Sequence, residues 1–557
     1  MKIRRAAFVL FVLAAARAQA QTADLVLVNG NVFTVDERLP KAQAVAIQGE
    51  RILAVGTNVE VERRKGPKTR VIDLGGKTVV PGLIDGHLHF FRLGADRGNS
   101  LDLSEARSEA DAAAQVRRLA ARLQPGEWIT GDGWHTGNWD GQQWPTRRSL
   151  DEAAPNNPVF LGGMHSHASW ASSKALEAAA ITKSMPDPSG GKIFRDRDGE
   201  PTGVLLEDAQ ALLRTKVPAR GEPLAESIKK SVRLALSYGF TGAHDMGTTR
   251  EAIAAYRELI DKGELTFRVN AIPRVVNAGA LLDEILAQGA TKGYGGHRLT
   301  VRGVKVSIDG ALGARGAALM APYSDEPTAI GVIRVPYDQL YFILEKSLRA
   351  GFNAALHAIG DRGNQMALDA VEEALRRVPI RDHRIRVKHA QILRPHDLRR
   401  FAQLGILASV QWMHCTLDAP WAEKRVGPER IRGGYAWRTL LNTGARLVGG
   451  SDEGASSFSP FMGIHAAVTR QDAKGSPPGG WYPEQRLTRY EALKSYTLDP
   501  AYASFEEDVL GSITPGKLAD LAVLSRDILT IQPEDILKTE ALMTIVAGRV
   551  VFERDKP

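Results

Sequence analysis

At 557 residues, 43% apolar and 24% charged, the chain is long enough for two domains or one large barrel with additions, and a disulfide-stapled miniature scaffold is excluded. Its 54 glycines and 28 prolines stay well below the low-complexity range. The formal charge of +8 falls to +4 without Lys2, Arg4, Arg5 and Arg17, too diffuse for a nucleic-acid partner, and the lone Cys415 leaves any metal site to His, Asp, Glu or Lys.

Residues 1–20 combine a basic start, an apolar stretch and the small-x-small end Ala18-Gln19-Ala20, the pattern of a signal peptide cleaved after Ala20. The mature chain is therefore expected in the periplasm or outside the cell. The apolar stretch is shorter than the ~20 residues a spanning helix needs, and no later run reaches that length, so no membrane insertion is expected after signal removal. From residue 23 to 80 short alternating runs (25–35, 44–55, 71–80) surround Asn29-Gly30, Gly49-Glu50 and Gly75-Gly76, which predicts strands joined as hairpins. The same texture returns at 518–524 and at 542–552 around Gly548. Residues 21–80 plus 511–557 are thus expected to form one composite β-sandwich domain.

Between the ends, apolar strand candidates fall at 78–85, 240–245, 269–276, 301–308, 353–357, 385–389, 406–411 and 446–450. Stretches 222–238, 251–262, 337–350 and 363–378 carry apolar residues at helical spacing. The fold class is therefore α/β, a TIM-like (β/α)8 barrel over 81–510, with an insertion of about 92–223 after the first strand as a candidate cap over its mouth. The basic stretch 376–388 reads as a solvated helix end and loop.

Side chains repeat every second residue along a strand, so His87 and His89, ending an apolar run after Pro81-Gly82, face one way and can grip one metal ion. His165-Ser166-His167 has the same spacing but lies in the insertion. Lys305, His357, His389 and Asp452 each stand at or near the C-terminal end of a predicted strand, where barrel active sites lie. Singly each has a structural alternative: a hydrogen-bonded core histidine, a lysine paired with Asp309, an aspartate capping a helix. Together they place six metal-binding groups at one end of the predicted strands.

This set resembles the amidohydrolase superfamily, and within it the amidohydrolase-3 group that includes N-substituted formamide deformylases. Similar stretches run from His167 to Leu176, Asp198 to Gly203, Lys305 to Gly313 and Gly511 to Leu521. His135 and Ser172 depart from the group's pattern, in which an acidic residue and an Asn are expected. The resemblance implies two divalent metals, zinc foremost, bridged by a carboxylated Lys305: one on His87, His89 and Asp452, the other on His357 and His389. A single metal on His87, His89, His357 and Asp452, with Lys305 merely paired, stays open. Either arrangement activates water as a metal-bound hydroxide, with Asp452 as the catalytic residue that moves the proton to the leaving nitrogen.

The expected function is a metal-dependent hydrolase of non-peptide C–N bonds acting on a small amide, formamide or N-acyl amine. The alternatives are a mononuclear deaminase or ester hydrolase on the same barrel, and a non-catalytic binding or regulatory homologue. Substrate contacts are expected from His167, Trp170 and His414, with Trp128, Trp134, Trp139 and Trp144 as a pocket wall or cap core. Asp418 matches a group position beside His414, and Cys415 reads as a buried thiol. A homo-oligomer is left open.

Overall fold

The computed structural model describes residues 22–95, 100–139, 143–163, 167–218, 222–453 and 456–555. The signal segment and His165 lie outside the described residues. The centre of the molecule is a run of parallel strands in two sheets. Leu83–Leu88, Phe240–Thr248, Arg268–Pro273 and Leu299–Val301 pair in parallel in one sheet. Gly303–Ser307, Asn353–Ala358, Arg386–His389, Leu407–Gln411 and Leu447–Gly450 pair in parallel in the other.

The sheets meet at both edges. A parallel bridge joins Arg274 to Lys305, and the Asp452 amide donates to the His87 carbonyl at 2.7 Å. A Cβ on Gly450 would lie 2.4 Å from the His87 nitrogen, so glycine is what lets the last strand approach the first. Intervening helices bury one stripe each. Asp361–Arg377, for example, buries Asn364, Ala367, Leu368, Val371 and Ala374, three and four residues apart.

The sequence ranges need several corrections. The expected first strand, 78–85, divides at Gly82, where a Cβ would lie 2.3 Å from Thr241 Oγ1. Thr78–Pro81 turns away to pair antiparallel with Leu521–Leu524, and only Leu83–Leu88 enters the parallel run. The 301–308 candidate starts earlier and is interrupted at Arg302. Near the N-terminus only Ala44–Gln48 and Arg51–Gly56 form the expected hairpin. Ala23–Val28 and Asn31–Phe33 part at Asn29 (φ 55°) into different sheets, as do Lys65–Asp73 and Thr78–Pro81.

The four-stranded sheet is wholly N-terminal, whereas the six-stranded one combines strands from both chain ends. Leu25, Leu27, Val45 and Ile47 of the first share an apolar core with Val79, Leu521, Val523 and Ile545 of the second. The insertion carries its own six-stranded sheet between Leu101 and Glu207. Trp134, Trp139 and Trp170 fill its core, with ring centroids 5.8–6.2 Å apart. In the basic stretch, Arg384, Arg386 and Lys388 are buried rather than solvated, because 386 and 388 stand on a strand. Among the described residues, no helix is long and apolar enough to cross a membrane.

Candidate active site

The metal-type side chains converge where the parallel strands end. His87 Nε2 and His89 Nε2 lie 3.5 and 3.7 Å from Asp452 Oδ1. His87, His389 and Asp452 offer ligand atoms all within 4.8 Å of one another. The His389 ring lies 5.2 Å from that of His87 and 4.5 Å from that of His357. His389 (φ 70°) and Asp452 (φ 52°) adopt left-handed backbone, a conformation worth about 1–3 kcal/mol of strain that collects at functional sites and here ends two strands so as to turn their side chains inward.

Burial pushes the His87, His357 and His389 imidazoles well below their ordinary values, which keeps them neutral and lone-pair-bearing. His357 Nε2 and His389 Nδ1 are buried without a hydrogen-bond partner, a cost that coordination of a cation would remove. Lys305 is buried, and among the described residues its side chain makes no hydrogen bond or ion pair. Burial, opposed by Asp452, brings it down to about 7. The expected structural partner is engaged elsewhere: Asp309 accepts from the backbone amides of Ala318, Ile359 and Gly360. The donor set therefore fits a divalent ion.

Sequence reasoning missed the residues that hold this set in place. Asp85 accepts from the amides of His87 (2.9 Å) and Ser451 (3.1 Å), tying the first strand to the last beside His87 and Asp452. The Gln411 side-chain amide lies 3.1 Å from His87 Nδ1. With its oxygen in that position it accepts the Nδ1–H, giving an otherwise unpartnered buried Oε1 a partner and leaving the Nε2 lone pair facing Asp452. Lys388 Nζ donates to the Gly86 carbonyl at 3.0 Å and to Ser409 Oγ at 2.6 Å. Alternation along the strands was the only available signal for these groups, and it does not distinguish them from core polar residues.

Of the expected substrate contacts, two flank the cluster. The His414 ring stacks 5.8 Å from that of His389, and His167, from the insertion, lies 5.2 Å from His357. His167 Nδ1 bonds Glu207 Oε2 at 2.8 Å; Glu207 also pairs with Arg334 and sits in left-handed backbone (φ 50°). Burial would raise the Glu207 carboxyl, but His167 and Arg334 outweigh it and hold it below its ordinary value. Trp170 is a correction. It is completely buried in the insertion core and its indole donates to the Thr146 carbonyl at 2.9 Å, so it packs rather than faces a substrate. Cys415 is a buried free thiol, as expected.

The model of the amidohydrolase family matches residues 70–552, which takes in every ligand candidate and the C-terminal strand group but not the strands before residue 65. The chain belongs to the amidohydrolase family. It is 34% identical over 544 residues to the Arabidopsis thaliana protein LONG AFTER FAR-RED 3, covering 95% of this chain and 92% of that one. It is 32% identical over 548 residues to an N-substituted formamide deformylase of Arthrobacter pascens, covering 96% and 99%. Among solved structures, an uncharacterized metal-dependent hydrolase of Pyrococcus horikoshii superposes with a TM-score of 0.71 at 29% identity, over 91% of this chain and 99% of that one. Membership in the amidohydrolase family supports a hydrolase that uses a divalent metal.

Proposed function

We propose that this amidohydrolase-family protein hydrolyses a non-peptide C–N bond in a small amide, formamide or N-acyl amine. The observation that carries the reading is the convergence of neutral His87, His89, His357 and His389 with Lys305 and Asp452 at one end of the parallel strands. On this reading the strands form a (β/α)8 barrel, the two chain-end sheets a β-sandwich, and the insertion a cap.

His87, His89 and Asp452 would hold one divalent ion and His357 and His389 a second, with zinc foremost and a carboxylated Lys305 shared between them. A partly neutral lysine amine, buried and otherwise unbonded, supports that modification. A metal held there acidifies bound water and polarises a carbonyl oxygen. Asp452 takes the proton of the attacking water on a carboxylate oxygen and returns it to the leaving nitrogen. His167, with Nδ1 engaged by Glu207, meets the substrate through Nε2, and His414 lines the opposite side. A second reading has support of its own. The tight His87, His389 and Asp452 triad suits a single ion, and with it a deaminase or ester hydrolase.

The test is product analysis on zinc-loaded protein across amides, formamides, aminated heterocycles and esters, with Asp452→Asn alongside. Free amine, at least a hundredfold less in Asp452→Asn although that variant keeps most of its metal, is the expected result. Ammonia or alcohol as the sole product favours the second reading, and an unaffected Asp452→Asn rejects the role of Asp452. The first twenty residues support export, to be checked by the N-terminal sequence of the mature protein.

A further inference from the structure

A dense run of positive charge lies outside the ligand cluster. Residues 63–70 hold five cations, Arg63, Arg64, Lys65, Lys68 and Arg70, and no acid, against a net charge of +4 for all that follows residue 20. They join the helix Asn58–Glu62 to the strand Lys65–Asp73, which forms one edge of the four-stranded N-terminal sheet. Arg63, Lys68 and Arg70 are exposed, and among the described residues none of the three makes a side-chain hydrogen bond or an ion pair. Lys65 pairs with Glu62 at 2.7 Å. The neighbouring acids are committed, Glu60 to the capping box with Thr57 and Asp73 to Asn29 and the Gly75 amide.

Two exposed valines accompany these charges. Leu25 and Leu27 turn one face of the sheet into the core shared with the second sheet, so Val26 between them points the other way, where it packs in a cluster with Ala46 and with Val61 of the helix. Val71 pairs with Val26 across the strands and so stands on that outer face, but it is 45% exposed; Val59, on the same helix as Val61, is 63% exposed. Lysine on an edge strand guards against pairing with another chain. That role has no use for Arg63, which precedes the strand, and the exposed valines work against it.

The described chain also starts at this patch. The Ala23 amide donates to the Arg64 carbonyl at 2.8 Å, and a Cβ on Gly66 would lie 3.2 Å from Thr22 Cβ. Residues 1–20, with their apolar stretch, therefore join the described chain beside Arg64 and Gly66. Clustered cations, bare valines and the junction with an apolar leader together suit a surface that lies against a bilayer, where anionic headgroups attract the charges and valine methyls enter the boundary between headgroups and acyl chains. A soluble polyanion would use the charges but not the valines, and no aromatic ring interleaves residues 63–70 to stack on bases.

We infer that this face of the N-terminal sheet docks the protein peripherally on an anionic phospholipid surface. The docking is independent of the reaction proposed above. The chain beginning at Gln21 is sedimented at low and high salt with vesicles of phosphatidylcholine alone and of equal parts phosphatidylcholine and phosphatidylglycerol, and its binding to heparin is measured beside this. Binding is expected to the anionic vesicles only, weakening as salt rises. Arg63→Gln, Lys68→Gln and Arg70→Gln should each weaken it about fivefold and together about a hundredfold. Arg63→Lys with Arg70→Lys should keep it, because the headgroup field reads charge rather than guanidinium geometry. Val59→Ser with Val71→Ser should weaken vesicle binding several-fold and leave heparin binding unchanged. Thermal unfolding of each variant, expected unchanged because these side chains are exposed, separates lost docking from a lost fold. No sedimentation with the anionic vesicles, or sedimentation indifferent to the three charges, overturns the inference. Heparin binding as tight as vesicle binding, with both indifferent to the valine substitutions, overturns it in favour of a soluble polyanion.

Discussion

A single side-chain amide decides which nitrogen of His87 keeps its lone pair. Gln411 holds His87 Nδ1 and so fixes the tautomer that leaves Nε2 facing Asp452. Replacing it by leucine preserves much of the volume, removes the hydrogen bond and strands a buried N–H. Gln411→Leu is therefore expected to weaken zinc affinity about 10–100-fold, read by competition with a chromophoric chelator. Unchanged affinity would show that His87 is oriented by packing alone. The side chains that cluster at the strand ends were legible in the sequence as ligand candidates, His87 and His89 through their spacing and Asp452 through its apolar run. Gln411, Asp85 and Glu207 were not, since each is defined by a partner tens to hundreds of residues away. Trp170 was misjudged for a related reason. Aromatic residues clustered in sequence serve a pocket wall and a domain core equally well, and only the packing around Trp134 and Trp139 separates the two.

Helices showed their apolar stripe in the sequence to within about two residues, whereas of the three expected N-terminal hairpins only the one around Gly49-Glu50 is formed. The runs through Asn29-Gly30 and Gly75-Gly76 look like hairpins, yet their halves belong to different sheets, because both turns hand the chain from one layer of a packed pair to the other. End structure, by contrast, is local enough to read and test. In the helix Arg489–Ser495, Thr488 and Glu491 form a reciprocal capping box, and Glu491 also pairs with Arg438. The Arg438 hydrogen bonds, working against partial burial and helped by the Thr488 amide, hold the Glu491 carboxyl down at about 2. A carboxyl lowered on folding stabilises the native state fully above its unfolded value of about 4.3, and that contribution disappears as pH falls through 2. Glu491→Gln is thus expected to cost about 1 kcal/mol at pH 7, with the difference from the parent narrowing as pH falls from 5 to 3. Urea unfolding at several pH values reads it, and a gap that widens toward acid contradicts the ion pair as its source.

At the scale of the whole molecule, both chain ends return to one place beneath the parallel strands. Alternating strand texture at both ends was the sequence signal for this, and the ion pair across the joint left none. Arg268, opening the third parallel strand, pairs with Asp520, preceding the first C-terminal strand; their side chains are each only 5% exposed, and the Arg268 Nη2 to Asp520 Oδ1 distance is 2.8 Å. Asp520 also accepts from the Ala547 amide. Asp520→Ala leaves a buried guanidinium without counter-charge and is expected to cost about 3 kcal/mol or more, read by thermal or urea unfolding, whereas an unchanged Tm would mean that water reaches the freed Arg268. On the proposed function the strand ends, with the buried Lys305 among them, hold the metal and the insertion supplies substrate contacts. The measurement that tests it most directly is metal per chain by elemental analysis of protein produced with zinc and bicarbonate, beside Lys305→Ala. The account predicts close to two zinc ions per chain, falling sharply in the variant, and a protein that binds no metal in either form would contradict it.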